Sequence, residues 1–245
     1  MKIAVLGSGA WGTALSLLLQ KNGHEVTLWS YCEEECSALR ERGENKMLPG
    51  VPLPEGLPLT HREDVVAGCG LVVFAPPSYA MRQTALRVKP YLMPEAVLVT
   101  VAKGVEPESG LRMSEILAET LPGHPIAALS GPSHAEEVAR EMPTGCVAAC
   151  ADRAVAEWLQ GIFMNPSFRV YSSTDITGVE LCGAAKNIIA LAAGMAEGMG
   201  CGDNAKALMM SRALVELSAL IKAAGGEETT CFGLAGMGDM IVTCT

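Results

Sequence analysis

A chain of 245 residues, 49% apolar and 18% charged, can bury a substantial core, yet no apolar run reaches the roughly 18 residues of a spanning helix, so no stable membrane insertion is expected. Its 27 acidic residues outweigh 18 basic ones for a net charge of −9, and nothing gathers the basic ones into a face, which argues against nucleic acid as a partner. Nine cysteines without close CxxC pairs point to reduced thiols rather than a metal site or disulfide framework, and MKIAVLGSG lacks a signal peptide's cleavage pattern; a cytoplasmic protein is expected.

In chain order, KIAVLG reads as a strand and AWGTALSLLLQKNG as a helix, followed by the strand EVTLWS and a charged helix from about Glu33. Further strands are predicted at LVVFA, AVLVTVA, IAALSG, GCVAACA and FRVYSS. Helices are predicted between them at SYAMRQTALRVKPYL, LRMSEILAETL, SHAEEVAREM and RAVAEWLQGIFM. Short, largely apolar strands alternating with helical crossovers predict an α/β fold, a doubly wound Rossmann-type parallel sheet covered on both faces. After Asp175 no strand is convincing, and the small residues of GVELCGAAKNIIALAAGMAEGMG and DNAKALMMSRALVELSALIKAAGG let helices approach closely. The expected organisation is a dinucleotide-binding domain over 1–177 and an all-α domain over 178–245.

Three glycines of GSGAWG occupy the positions of GxGxxG, and they follow a strand and open a helix, the context a dinucleotide site requires. Gly7 allows the tight turn, Gly9 the close approach of a pyrophosphate, and Gly12 the packing of helix on strand. The free N–H groups and partial positive charge of the helix N-terminus then favour phosphate. Trp11 either covers the cofactor or packs between loops. At the end of EVTLWS an NAD site usually places an acid for the ribose 2′-hydroxyl; here stand Ser30 and Tyr31, with acids only from Glu33 onward and no arginine at once behind them, so NAD and NADP both stay open.

Lys103, in VAKGVEP, follows a strand at the carboxyl edge of the sheet, where open α/β folds bind ligands; the alternative is a solvated loop lysine. In LSGPSHAEEV a strand ends, Gly131 and Pro132 turn the chain, and Ser133 is placed to cap the next helix and to help bind a ligand. His134 reads as an ordinary surface or satisfied histidine. Lys186, in GAAKN, either lies at the surface of its helix or points inward, where burial would lower its pKa and fit it for proton transfer near neutral pH. In GLAGMGDMIVTCT, Asp239 either orients a lysine or caps a helix that brings Thr243, four residues on, to the same face.

These pieces in order, GSGAWGTAL, NGHEVTLW, LPG at 48–50, APPSYAMR, AKGVE, ALSGPSHAEEVA, GAAKNIIALAAG, GDNAKA and GLAGMGDMIVTCT, resemble the bacterial-type NAD(P)-dependent glycerol-3-phosphate dehydrogenases over nearly the whole chain. The resemblance implies reversible reduction of dihydroxyacetone phosphate to sn-glycerol 3-phosphate with NAD or NADP as cofactor, supplying phospholipid synthesis. It makes Lys186 the proton donor and acceptor, Lys103 a contact to substrate and cofactor, and Gly131, Ser133, Asp239 and Thr243 substrate-site positions. Ala10, Trp11, Ser30, Tyr31 and Ala135 fall to the cofactor, and Asn187 to holding the lysine or the substrate. The small-molecule partner implied is a phosphorylated triose or glycerol, with a homodimer as the assembly to test. Family members continue after the TCT with a Ser-Arg-Asn segment whose arginine contacts the substrate phosphate and cofactor; this chain stops at Thr245, so an incomplete C-terminal part is expected. The alternatives are a dinucleotide-binding chain impaired in catalysis and a related hydroxy-acid dehydrogenase.

Overall fold

The computed structural model describes residues 1–245. Eight strands, β1 (Lys2–Leu6), β2 (Glu25–Trp29), β3 (Leu59–Thr60), β4 (Leu71–Phe74), β5 (Val97–Thr100), β6 (Ile126–Ser130), β7 (Thr144–Ala149) and β8 (Phe168–Ser173), form one sheet in the order β3-β2-β1-β4-β5-β6-β7-β8. The helices are α1 (Ala10–Lys21), α2 (Glu33–Arg42), α3 (Met81–Val88), α4 (Met113–Thr120), α5 (Ala135–Ala139), α6 (Arg153–Phe163), α7 (Ile176–Gly198), α8 (Gly202–Ala223) and α9 (Asp239–Cys244).

Alternation along β1 sends Ile3 and Val5 to one face, with Leu15 and Leu19 of α1 and Phe163 of α6. Ala4 and Leu6 go to the other, with Met81 of α3 and Ile116 and Leu117 of α4. Both faces are dry, which is why the strands read as apolar runs and not as polar-apolar alternation. The chain runs outward from β1 to β2 and β3, then crosses back to lay β4 on the other side of β1. The crevice at the carboxyl ends of β1 and β4 is thus a topological switch point, where open α/β sheets bind ligands.

The sheet departs from the expected all-parallel form in one place: β6 and β7 are antiparallel, Leu129 standing opposite Ala148. A parallel return needs a crossover long enough to run back along the sheet. The link after Ser130 holds only the five-residue α5, so the chain re-enters from the end at which it left, and β8 follows β7 in parallel. The two-residue β3 escaped prediction because a segment so short has no period to read. Ser133 does not cap α5: the cap position belongs to His134, and the Ser133 hydroxyl instead donates to the Gly131 carbonyl at 3.0 Å.

Beyond β8 the chain is helical, and α7 begins at Ile176. Asp175 caps it, accepting from Gly178 N–H at 2.9 Å, and its other oxygen takes Glu227 N–H and the Thr230 hydroxyl, which fastens the segment after α8 to the start of α7. By length and composition alone α7 could cross a membrane, but its Val179, Cys182 and Ala193 pack with Ala128 and Ala149 of the sheet, Leu217 and Ile221 of α8 and Met240 of α9. Glu180, also buried, accepts from Ser114 N–H at 2.8 Å and from the Arg112 guanidinium at 2.6 Å, joining α7 to the first turn of α4.

Candidate active site

Two glycines of the first turn are fixed by what surrounds them. A methyl group on Gly12 would lie 1.9 Å from the Gly7 carbonyl oxygen, and one on Gly7, whose φ is +126°, would lie 2.6 Å from the Ala75 carbonyl oxygen of the neighbouring β4 end. Above Gly9 the nearest atom to such a methyl is the end of Met47 at 4.0 Å, so that side is open to a large group. With the unpaired N–H groups of the first turn of α1, this cradle suits a pyrophosphate. Ala10 and Trp11 stand at its edge, half-buried, and Trp11 packs against the core below the turn and is not fully exposed there.

Ser30, at the end of β2, is fully buried, whereas Tyr31 is exposed, with its ring edge-on to Trp29. The Ser8 and Ser30 hydroxyls lie 2.7 Å apart, and both reach Glu35 Oε2. Sequence order hides Glu35, which lies six residues past the strand and returns to it from the first turn of α2.

At the carboxyl ends of β5 and β6 three elements converge. Lys103 follows β5, Lys186 faces inward from α7, and Asp239, only 1% exposed, opens α9. Lys186 Nζ donates to Asp239 Oδ1 at 2.6 Å and to Thr243 Oγ1 at 2.8 Å. Lys103 Nζ donates to Asp239 Oδ2 at 2.7 Å and to the Gly131 carbonyl at 3.1 Å. One carboxylate therefore holds two ammonium groups, and Thr243 completes the set by donating its own hydroxyl to the Asp239 carbonyl at 2.6 Å.

Small residues make this convergence possible. A methyl on Gly183 would press on Lys103 Cγ at 3.3 Å and on Ser130 Oγ at 3.1 Å, and one on Gly131, at φ +152°, would meet the Gly145 carbonyl at 2.8 Å. Ser130 Oγ is buried without a hydrogen-bond partner, close to the Lys103 stem where both lie against Gly183. Sequence reading passed over Ser130, whose only signal was its place at the end of a strand next to Gly131. Ala135 is buried at the start of α5. Asn187 lies on the exposed side of α7 and is not hydrogen-bonded to Lys186.

Burial, with the Lys103 charge second, pulls the Lys186 ammonium below the usual lysine value even though Asp239 opposes the shift. The nearby thiols behave otherwise: burial pushes Cys146 and Cys182 each up to about 12, so both stay protonated.

A dinucleotide cradle and a pair of lysines joined by one carboxylate on one edge of one sheet suit a nicotinamide-dependent reduction of an anionic carbonyl compound. The model of the N-terminus of NAD-dependent glycerol-3-phosphate dehydrogenase matches residues 2–156, and that of its C-terminus matches 175–245. The chain belongs to this family. It is 52% identical to the NAD(P)-dependent glycerol-3-phosphate dehydrogenase of Moorella thermoacetica, over 99% of this chain and 73% of that protein, and 49% identical to the Desulfitobacterium hafniense enzyme, over 100% and 70%. Among solved structures, the glycerol-3-phosphate dehydrogenase of Coxiella burnetii is 37% identical with a TM-score of 0.94, over 100% of this chain and 75% of that one. The Plasmodium falciparum glycerol-3-phosphate dehydrogenase is 27% identical with a TM-score of 0.90, over 100% and 72%.

As a member of the glycerol-3-phosphate dehydrogenase family, the protein is an oxidoreductase that interconverts dihydroxyacetone phosphate and sn-glycerol 3-phosphate with NAD or NADP, a step of lipid metabolism. The expectation of an incomplete C-terminal part is corrected by the second match: the C-terminal family model reaches from 175 to 245, so both regions that define the family are present.

Proposed function

We propose that Lys186 is the proton donor and acceptor of the reaction, with Asp239 and Thr243 orienting it and Lys103 binding the phosphorylated substrate beside the cofactor. The observation that carries this reading is the single buried carboxylate shared by the two lysines, at the end of the sheet where the nucleotide cradle opens.

When bound, the nicotinamide supplies the hydride that reaches the ketone carbon. Charge then grows on the carbonyl oxygen, and Lys186 Nζ stabilises it and gives up a proton; in the reverse direction the neutral amine takes the hydroxyl proton. Asp239 Oδ1 and Thr243 Oγ1 fix Nζ from two sides, so the proton is delivered from a held geometry and not from a wandering chain. Lys103 contributes the second positive charge, countering the repulsion that a chain of net charge −9 exerts on a phosphate ester. Gly131 and Ser133 line the substrate side of the pocket, with Asn187 at its exposed margin. Gly7, Gly9, Ala10, Trp11, Gly12, Ser30, Tyr31 and Ala135 serve the dinucleotide.

Dihydroxyacetone phosphate should therefore drive oxidation of NADH or NADPH, and Lys186→Ala should lower kcat by about 10²–10⁴-fold with dinucleotide affinity retained. Turnover equal to that of the parent chain would remove the proton-transfer role. The same reading takes the protein to be cytoplasmic, in keeping with its nine free thiols, and its net charge of −9 argues against nucleic acid as a partner. Assembly as a homodimer is supported by the apolar side chains that α7 and α8 leave exposed, Ile188, Leu191 and Leu208 among them; a monomer alone in sedimentation velocity would dismiss it.

A further inference from the structure

The end of β2 decides which dinucleotide such a site takes, and this chain has no acid there in sequence. In space it has one. Gly7 N–H donates to the Trp29 carbonyl at 3.0 Å and so ties the glycine turn to the last residue of β2. Ser8, the residue between Gly7 and Gly9, and Ser30, the residue after the strand, both direct their hydroxyls at Glu35 Oε2. The carboxylate of α2 is thereby clamped across the junction of the turn and the strand, the position at which an NAD-binding sheet presents an acid to the adenine ribose. Both clamping bonds fall on Oε2, so Oε1 keeps its full capacity to accept a further hydroxyl.

A 2′-phosphate would need a free cation at the same corner, and the arginines there are engaged, beginning with Arg62, which is paired with Asp64 at 2.7 Å. Arg87 is paired with Glu63, stacks at 4.8 Å over Tyr31 and 5.1 Å over Trp29, and reaches the Tyr31 carbonyl. Arg40 is paired with Glu33 at 2.9 Å and donates to the Leu59 carbonyl at 2.7 Å. The pairings hold the Glu63 and Glu33 carboxyls below the usual range, Arg87 and Arg40 being the first cause in each. Glu34 and Glu35 are then uncompensated by any arginine, although His61 also lies against Glu33.

Building on the dinucleotide reading of the cradle, we propose that Glu35 is a specificity-determining residue, selecting NAD(H) over NADP(H) by accepting the ribose 2′-hydroxyl on Oε1 and repelling a 2′-phosphate. Glu35 is exposed, so its replacement should leave the fold intact.

The test is direct titration of NADH and of NADPH by calorimetry, on the parent chain, Glu35→Gln, Glu35→Ala and Arg87→Ala. The expected result is NADH bound at least about tenfold tighter than NADPH by the parent chain, as a like-charge contact in a partly aqueous setting would give. The gap should shrink to within about threefold in both Glu35 variants, and should narrow with added salt in the parent chain. Equal affinities in the parent chain, or an unchanged ratio in the Glu35 variants, would overturn the proposal while leaving the cradle as a dinucleotide site. So would a selective loss of NADPH binding in Arg87→Ala, since Arg87 would then be the group that reads the position. Binding of neither dinucleotide would overturn the cradle reading as well.

Discussion

Replacing Asp239 by Asn tests the shared carboxylate, because it removes one charge and almost no volume. In the parent chain two ammonium groups lie 2.6 and 2.7 Å from its oxygens, and the aspartate side chain is 1% exposed. With asparagine the two lysines face each other with no compensating charge. Removing one partner of a buried pair costs about 3–5 kcal/mol, and the lower end applies here because the Lys103 side chain is 22% exposed and can turn toward water. A midpoint loss of about 3 kcal/mol in urea unfolding at pH 7 is therefore expected.

The pH dependence of that loss carries more information. Lys186 already sits below the usual lysine value through burial and the Lys103 charge, and losing Asp239 depresses it further. A lysine whose folded pKa is depressed binds fewer protons folded than unfolded, so stability rises with pH from the depressed value up to the ordinary ~10.4. The Asp239→Asn penalty should thus shrink as pH is raised across that window, and the alkaline limb of ketone reduction should move to lower pH. A variant with the parent's midpoint and the parent's pH profile would refute the argument that one carboxylate holds both charges.

In the parent chain, the depressed Lys186 should make ketone reduction fall and alcohol oxidation rise with increasing pH, both turning at one apparent pKa below 10.5; opposite slopes in kcat would dismiss Lys186 as the titrating group. Gly12→Ala should abolish calorimetric dinucleotide binding and cost about 1–3 kcal/mol in stability, since the new methyl meets the Gly7 carbonyl at 1.9 Å and neither backbone can retreat. Glu180→Ala should cost about 2–3 kcal/mol in thermal or urea unfolding, because it strands Ser114 N–H and one arm of Arg112; the partial rescue of Arg112 by Glu115 keeps the value from rising further. Alkylation at pH 8 should reach the exposed Cys201 well before Cys146 or Cys182, whose thiols are pushed to about 12.

What the sequence made legible was whatever repeats locally. The apolar runs of β1, β4 and β5 announce a sheet buried on both faces, and the spacing of Gly7, Gly9 and Gly12 announces the turn between strand and helix. The reversal of β7 was not legible, because strand direction depends on how far the preceding link can travel and not on any property of GCVAACA itself. Ser133 looked like a cap because serine before a helix usually is one. The extended residue before α5 is His134, so the helix starts one residue later, and the Ser133 hydroxyl found an acceptor behind it in the Gly131 carbonyl. Glu35 was hidden for the converse reason. Its position six residues past the strand carries no meaning until α2 folds back and two serines from different segments close on its carboxylate.

The orientation of Lys186 could not be read from its helix, since Ala185 and Ile189 accompany an inward lysine as readily as an outward one. What turns it inward lies more than fifty residues away. Lys103 comes from the sheet, Lys186 from α7 and Asp239 from α9, so the three charges meet only when the helices are docked on β5 and β6. Two ammonium groups and one carboxylate leave a local surplus of one positive charge inside a chain that is negative overall. That surplus cannot be left unpaired at no cost. A phosphorylated carbonyl compound supplies both an anion for the surplus charge and an oxygen acceptor for the donors. On the proposed assignment, the groups that carry this surplus charge, Lys103 and Lys186 on Asp239, are the same ones that would receive such an anion, so substrate binding should raise the stability of the folded chain.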